Sequence, residues 1–202
     1  MSRAAVRHLK RADPTFRALI ERVGACRMTL YSDGAHFDHL LRAIVYQQLG
    51  GRAAATIHGR VLGLYGGRAP TPGELLATRP ARLRGAGLSR QKLGYMRDLA
   101  KRAASGTLTL DALDEATDDA IVDTLTAVKG IGPWTAQMFL MFRLGRPDVL
   151  PVLDYGIKKA IRQAYGLRKM PTHAQMERIA APWRPYRTVA CWYLWRSLDV
   201  RA

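Results

Sequence analysis

Two stretches of the chain carry residue types and spacings that could do chemistry. The first is Leu125-Thr126-Ala127-Val128-Lys129-Gly130-Ile131-Gly132-Pro133-Trp134-Thr135-Ala136. Glycines at alternate positions allow a turn that side chains would block, and Pro133 stands where a helix can begin. A tight turn feeding a helix N-terminus aims backbone N–H groups outward and makes an anion site. A phosphate can approach glycine closely, and such a contact reads no particular base. An ordinary helix–turn–helix corner is the competing reading, because Gly-X-Gly alone says little. Leu125, Val128, Ile131 and Ala136, which can pack two helices face to face in so basic a chain, favour the phosphate-gripping hairpin. The second stretch ends in Leu153-Asp154-Tyr155-Gly156-Ile157-Lys158-Lys159. Taken alone, Asp154 reads as the N-cap of a helix over 155–165, a place that aspartate commonly fills.

The elements that must position these residues read as helices almost throughout. Asp13-Pro14 is an N-cap followed by proline at the first helical position, with Phe16, Leu19, Ile20 and Val23 at helical spacing and Gly24 as the stop. The run from Phe37 to Tyr65 is interrupted at Gly50-Gly51, which predicts two helices with a break. Thr71-Pro72-Gly73-Glu74 and Thr172-His173-Ala174-Gln175 are capping boxes. Ser89 starts a helix with Leu93, Met96, Leu99 and Ala100 inward and Arg90, Lys92, Arg97, Lys101 and Arg102 on its other face. Thr117-Asp118 starts another, and Pro185 opens the last. Trp192 and Trp195 fall on an apolar face with Leu198, which predicts core packing. Sustained two-residue alternation and Asn-Gly hairpins are missing. The fold class is therefore all-α.

Composition sets the partner. Lys and Arg number 32 against 16 Asp and Glu, a formal charge of +16 over 202 residues. A polyanion accounts for this best: nucleic acid first, an anionic membrane surface second. A codon bias towards Arg accounts for part of it. Asp111, Asp114, Glu115, Asp118, Asp119 and Asp123 crowd one segment, which either faces away from a polyanion or is a solvated face. Two cysteines, Cys26 and Cys191, exclude a four-thiolate iron–sulfur site and a zinc ribbon. The N-terminal residues lack the apolar stretch of a signal peptide, and no apolar run is long enough to span a membrane. A soluble, cytoplasmic, nucleoid-associated bacterial protein is expected.

Val128-Lys129-Gly130-Ile131-Gly132-Pro133-Trp134-Thr135-Ala136 resembles the helix–hairpin–helix of the DNA glycosylase superfamily that also includes endonuclease III. In that superfamily a catalytic aspartate follows the hairpin, opens a helix and has basic residues behind it. The segment from Arg146 to Lys159 fits this pattern, with Asp154 in the catalytic place. Ala43-Ile44-Val45-Tyr46-Gln47-Gln48-Leu49, Gly87-Leu88-Ser89-Arg90-Gln91-Lys92 and Trp183-Arg184-Pro185-Tyr186-Arg187 extend the likeness over 37–197. The chain is most similar to the alkylated-base (3-methyladenine) DNA glycosylases of bacteria and yeast. It departs from them at Leu153, where two adjacent aspartates are usual. It departs from bifunctional relatives at Trp134, which stands where they carry a lysine nucleophile. The residues before Phe37 are too few for the N-terminal α/β domain of the best-known bacterial homologue, so that domain is expected to be missing.

The resemblance implies a single glycosylase unit over 1–202 made of two helical subdomains, 35–146 with the hairpin and 1–34 plus 147–202, flanking a cleft lined by Asp154. It implies hydrolysis of the N-glycosidic bond of 3-methyladenine and 7-methylguanine in duplex DNA, without strand cleavage. The alternatives are a non-catalytic DNA-damage-binding protein of the same fold and a glycosylase for deaminated or oxidised bases. Asp154 would stabilise the oxocarbenium-like sugar. The flipped base would stack in a pocket of Trp183, Trp134, Tyr46 and Gln47. Gln48, or else Leu49, would fill the gap in the duplex. Lys129, Gly130, Ile131, Gly132 and Thr135 would contact DNA. The carbonyls of Thr126, Val128 and Ile131 would hold a structural Na+ or K+, and no other cofactor is expected. A monomer suits an enzyme that clamps a duplex, and no membrane partner is expected.

Overall fold

The computed structural model describes residues 3–200, and among them it holds helices and no strand, as an all-α fold requires. In chain order come α1 (Arg3–Ala12), α2 (Pro14–Val23), α3 (His36–Tyr46), α4 (Gly51–Gly63), α5 (Pro72–Ala77) and α6 (Pro80–Gly85). They are followed by α7 (Arg90–Ala104), α8 (Asp118–Thr126), α9 (Pro133–Phe142), α10 (Tyr155–Ala164), α11 (His173–Ala180) and α12 (Arg187–Asp199). Short 3-10 turns cover Leu110–Leu113 and Ala181–Trp183. The chain forms two compact units, Met1–Leu30 with Leu140–Ala202, and Tyr31–Phe139.

The starts follow local chemistry. The side chains of Asp13, Thr71, Ser89, Thr117, Asp154 and Thr172 each accept a backbone N–H from the first turn of the helix behind them, satisfying a donor that the helix itself leaves orphaned. The break between α3 and α4 falls at Gln47–Gly50. Pro185 does not open α12, which begins two residues later at Arg187. Helices α1 and α6 are additions to what the sequence alone predicts. At the start of α6 the Arg79 side chain makes no cap, so only Pro80 marks it.

In the unit Tyr31–Phe139, α3 packs on α4 and α7, and α5 and α6 pack on α7. Its core includes Leu40, Ile44, Leu75, Leu83, Met96, Leu99, Ile121 and Leu125. In the other unit α12 packs on α2 and α10, around Phe16, Ile157, Ile161, Trp183, Tyr193 and Leu194. Asp13 is buried at 7% exposure and accepts three donors: the Thr15 N–H at 2.9 Å, the Trp183 Nε1–H at 3.0 Å and the Tyr165 hydroxyl. A buried carboxylate survives only with such company.

The segment that leads to Asp154 is clamped by the first turn of α12. Arg187, 9% exposed, donates through Nε to Asp148 Oδ1 at 2.8 Å and through a terminal nitrogen to the Asp148 carbonyl at 2.8 Å. Another nitrogen reaches Glu177 at 3.2 Å. Thr188 donates its hydroxyl to the Arg146 carbonyl at 2.6 Å and accepts the Val149 N–H at 3.0 Å. The Asp154 N–H then closes a turn onto the Pro151 carbonyl at 2.9 Å.

Candidate functional site

Asp154 sits at the mouth of α10. Its Oδ1 accepts the Ile157 N–H at 2.7 Å and the Trp195 Nε1–H at 3.0 Å. Two donors converging on one oxygen fix the carboxylate's rotamer. The geometry depends on Gly156. A Cβ there would stand 3.0 Å from Asp154 Oδ1 and 3.1 Å from the Trp195 ring, so any side chain would press on both partners of the bond. Trp195 lies two turns after Arg187 on α12 and is tilted against Phe142 at 6.0 Å. One helix therefore anchors the incoming segment at its start and orients the carboxylate further along. Leu153 is 50% exposed and Tyr155 72%, so apolar surface flanks the carboxylate on both sides in sequence.

Trp195 was expected to pack in the core and instead is half-buried with its indole N–H on Asp154. No local signal marks this pairing, because Asp154 and Trp195 stand 41 residues apart in the chain. Trp183 is corrected in the opposite direction. It is fully buried, edge-on to Phe16 at 4.9 Å, with its N–H on Asp13. An indole enclosed in this way has no face for a base, and the aromatic match at that position is explained by packing. Burial, and after it the Asp154 charge, push the Cys191 thiol far up, so it is an inert, protonated filler.

In the unit Tyr31–Phe139 the hairpin lies between α8 and α9. Its two glycines do different work. Gly130 has φ +83°, and a Cβ on it would fall 2.1 Å from the Tyr95 ring. Gly132 has open space where a Cβ would be, so its backbone can be approached from outside. Val128 and Ile131 are buried at 1% and 3%, and Thr135 at 8%. Ile131 and Thr135 therefore have only backbone, not side chains, to present to an outside partner. The Lys129 N–H points inward to Asp98 Oδ2 at 3.0 Å, leaving only the exposed Lys129 side chain for an outside partner. Trp134 is 43% exposed on the first turn of α9.

The break after α3 is tied to this hairpin. Gln47 Nε2 donates to the Gly130 carbonyl at 2.7 Å, so Gln47 braces the turn. Lys92 Nζ donates to the Val45 and Gln47 carbonyls, both at 2.7 Å, and burial lowers its pKa. Gln48 is exposed in the left-handed region at φ 53°, followed by Leu49 at 39% exposure. A non-glycine residue held there is strained, and the result is a tip that projects the two side chains. Tyr46 carries the Arg42 guanidinium 4.1 Å from its ring centroid and the His58 ring at 6.1 Å. The face under Arg42 is thus already occupied by a cation.

A glycine hairpin feeding one helix, a projecting turn braced on it and an oriented aspartate capping another helix define an all-helical protein built around helix termini. The chain belongs to the HhH-GPD superfamily of base excision DNA repair proteins, whose family profile matches residues 41–185. It is 32% identical to the DNA-3-methyladenine glycosylase 1 of Schizosaccharomyces pombe, over 94% of this chain and 85% of that protein. It is 28% identical to the alkylbase DNA glycosidase-like protein mag2 of the same organism, over 95% of this chain and 92% of that one. The solved structure of a Schizosaccharomyces pombe 3-methyladenine DNA glycosylase in complex with abasic DNA superposes with a TM-score of 0.85 at 31% identity, covering 95% of each chain.

Proposed function

We propose that this chain is a monofunctional DNA glycosylase that hydrolyses the N-glycosidic bond of alkylated purines, 3-methyladenine and 7-methylguanine, in duplex DNA. The observation that carries the reading is the Asp154 carboxylate, held by the Ile157 N–H and the Trp195 indole at 2.7 and 3.0 Å. The names of its relatives supply the substrate class. Cleavage develops positive charge on the sugar. A fixed carboxylate stabilises that charge more than it stabilises the neutral ground-state sugar, and it orients or deprotonates the attacking water. N3- and N7-alkylated purines carry positive charge and leave readily, so one carboxylate suffices. Gln48, with Leu49 beside it, enters the gap left by the flipped nucleotide, and Trp134, 43% exposed, is the aromatic side chain assigned to the base. Trp134 also supports hydrolysis without strand cleavage, because the position after Pro133 holds no amine for a Schiff base.

Phosphate contact falls to the Gly132 backbone, the start of α9 and the Lys129 side chain. The carbonyls of Thr126, Val128 and Ile131 are neutral hard oxygens, a donor set suited to Na+ or K+, although the Val128 carbonyl already accepts the Ile131 N–H at 3.1 Å. Such an ion would supply positive charge next to a phosphate. The test is single-turnover excision from duplexes carrying 3-methyladenine, 7-methylguanine, hypoxanthine or uracil. Release of the two alkylpurines, lost in Asp154→Asn, supports the reading. Release of hypoxanthine or uracil alone reassigns the lesion. Release of none, with tight binding to damaged duplex, makes the chain a damage-binding protein.

A further inference from the structure

Arg90, Arg97 and Lys101 of α7 serve neither the hairpin turn nor Asp154. They border a groove of about 470 Å3 whose lining also includes Lys129. The one acid among the described lining residues, Asp98, is spent: its Oδ2 accepts Arg102 Nε at 2.9 Å and the Lys129 N–H at 3.0 Å. Burial would raise the Asp98 carboxyl, but these two donors outweigh it and hold it below the usual carboxylate range. The Arg97 guanidinium is pinned by the Leu76 carbonyl at 3.2 Å, so its charge stays at the wall. Arg90 and Lys101 are exposed. The groove is continuous with the hairpin through two contacts already described, Tyr95 under Gly130 and Asp98 on the Lys129 N–H.

We propose that this groove is a second phosphate-binding track, which receives the DNA backbone as it runs off the hairpin and extends the contact along the duplex. The inference rests on the reading of the hairpin as a DNA contact. Charge complementarity selects the occupant: three cations of α7, joined to the hairpin by Lys129 and facing a neutralised acid, suit a polyanion of regular charge spacing. The groove reads no sequence, since backbone contacts position without specifying.

The test uses the full chain, two undamaged duplexes and a salt series. One duplex covers only the nucleotides on the hairpin, and the other extends a helical turn to each side. The variant Arg90→Gln/Lys101→Gln removes two exposed charges from the groove. The matched variant Arg82→Gln/Arg84→Gln removes the same charge from exposed positions of α6 that do not line it. On the long duplex the groove variant is expected to lower the slope of log affinity against log salt by about 2, for two lost phosphate contacts. The short duplex and the matched variant are expected to show no such loss. Equal slopes for wild type and groove variant overturn the proposal, as does an equal loss on the short duplex or in the matched variant. A wild type with no salt-dependent binding to either duplex overturns the hairpin reading beneath it. Coincident melting curves for all three proteins are expected, and a groove variant that melts early would trace its effect to folding and overturn the assignment.

Discussion

Replacing Gly130 by Ala puts a methyl 2.1 Å from the Tyr95 ring, on a backbone with φ +83°. The left-handed conformation costs an L-residue about 1–2 kcal/mol. Forcing the ring aside adds about 1–3 kcal/mol of overpacking, and Tyr95 is not free to yield cheaply, because Gln91 donates to its hydroxyl at 2.6 Å. The sum is about 3 kcal/mol, which for a domain of this size lowers the melting temperature by about 10 °C. Gly132 is the contrast. It has no positive φ, and a Cβ added to it would meet nothing within 4 Å. Ala therefore fits there, and stability should hold within about 1 kcal/mol. The same methyl stands where a phosphate would approach, so DNA affinity should fall. Thermal denaturation by circular dichroism and anisotropy with a labelled duplex separate the two effects. A Gly130→Ala protein that melts with wild type would refute the packing argument. A Gly132→Ala protein that binds DNA as tightly as wild type would refute the assignment of Gly132 as the phosphate approach.

Three further outcomes follow from named contacts. Trp195→Phe removes the indole donor to Asp154 while keeping a ring near Phe142. A lost hydrogen bond to a carboxylate, worth about 1.5 kcal/mol, predicts an excision rate about tenfold lower with a small change in melting; an unchanged rate would remove Trp195 from the site. Asp13→Ala loses a helix cap and orphans the Trp183 and Tyr165 donors, for about 3 kcal/mol in denaturant unfolding, while excision at temperatures well below melting should persist. The Glu74 carboxyl is held at about 2, against an ordinary 4.5, first by its hydrogen bond to Arg68 and then by the Thr71 N–H. Its contribution is fully present above pH 4.5 and is lost as pH falls towards 2, so the gap in melting temperature between wild type and Glu74→Gln should be flat above pH 4.5 and close below it. A gap that widens in acid would contradict the assignment.

How much of this was legible in the sequence depended on how local the determinant was. Asp13, Thr71, Ser89, Thr117, Asp154 and Thr172 cap helices that begin where their own residue types require, because a cap is a contact between near neighbours. The hairpin could be read because Gly130 and Pro133 are constrained by backbone geometry. What the sequence could not resolve was which side of a packed element an aromatic occupies. Trp183 and Trp195 are both tryptophans near the C-terminus. One is buried by a partner at Asp13 and the other is drawn to Asp154, and neither pairing has a local signature. The division of labour between the glycines also needed Tyr95, which stands on another helix. The inward turn of the Lys129 N–H likewise needed Asp98.

The central claim is that a carboxylate oriented by Ile157 and Trp195 cleaves the bond between a damaged purine and its sugar. Its most direct test is a product balance on methylated duplex DNA, counting released bases, abasic sites and strand breaks in the same sample. Free 3-methyladenine and 7-methylguanine should equal new abasic sites in number, with no breaks until alkali is added, and release should be lost in a normally folded Asp154→Asn. Breaks appearing with the free bases, or an Asp154→Asn protein that releases them at the wild-type rate, would contradict it.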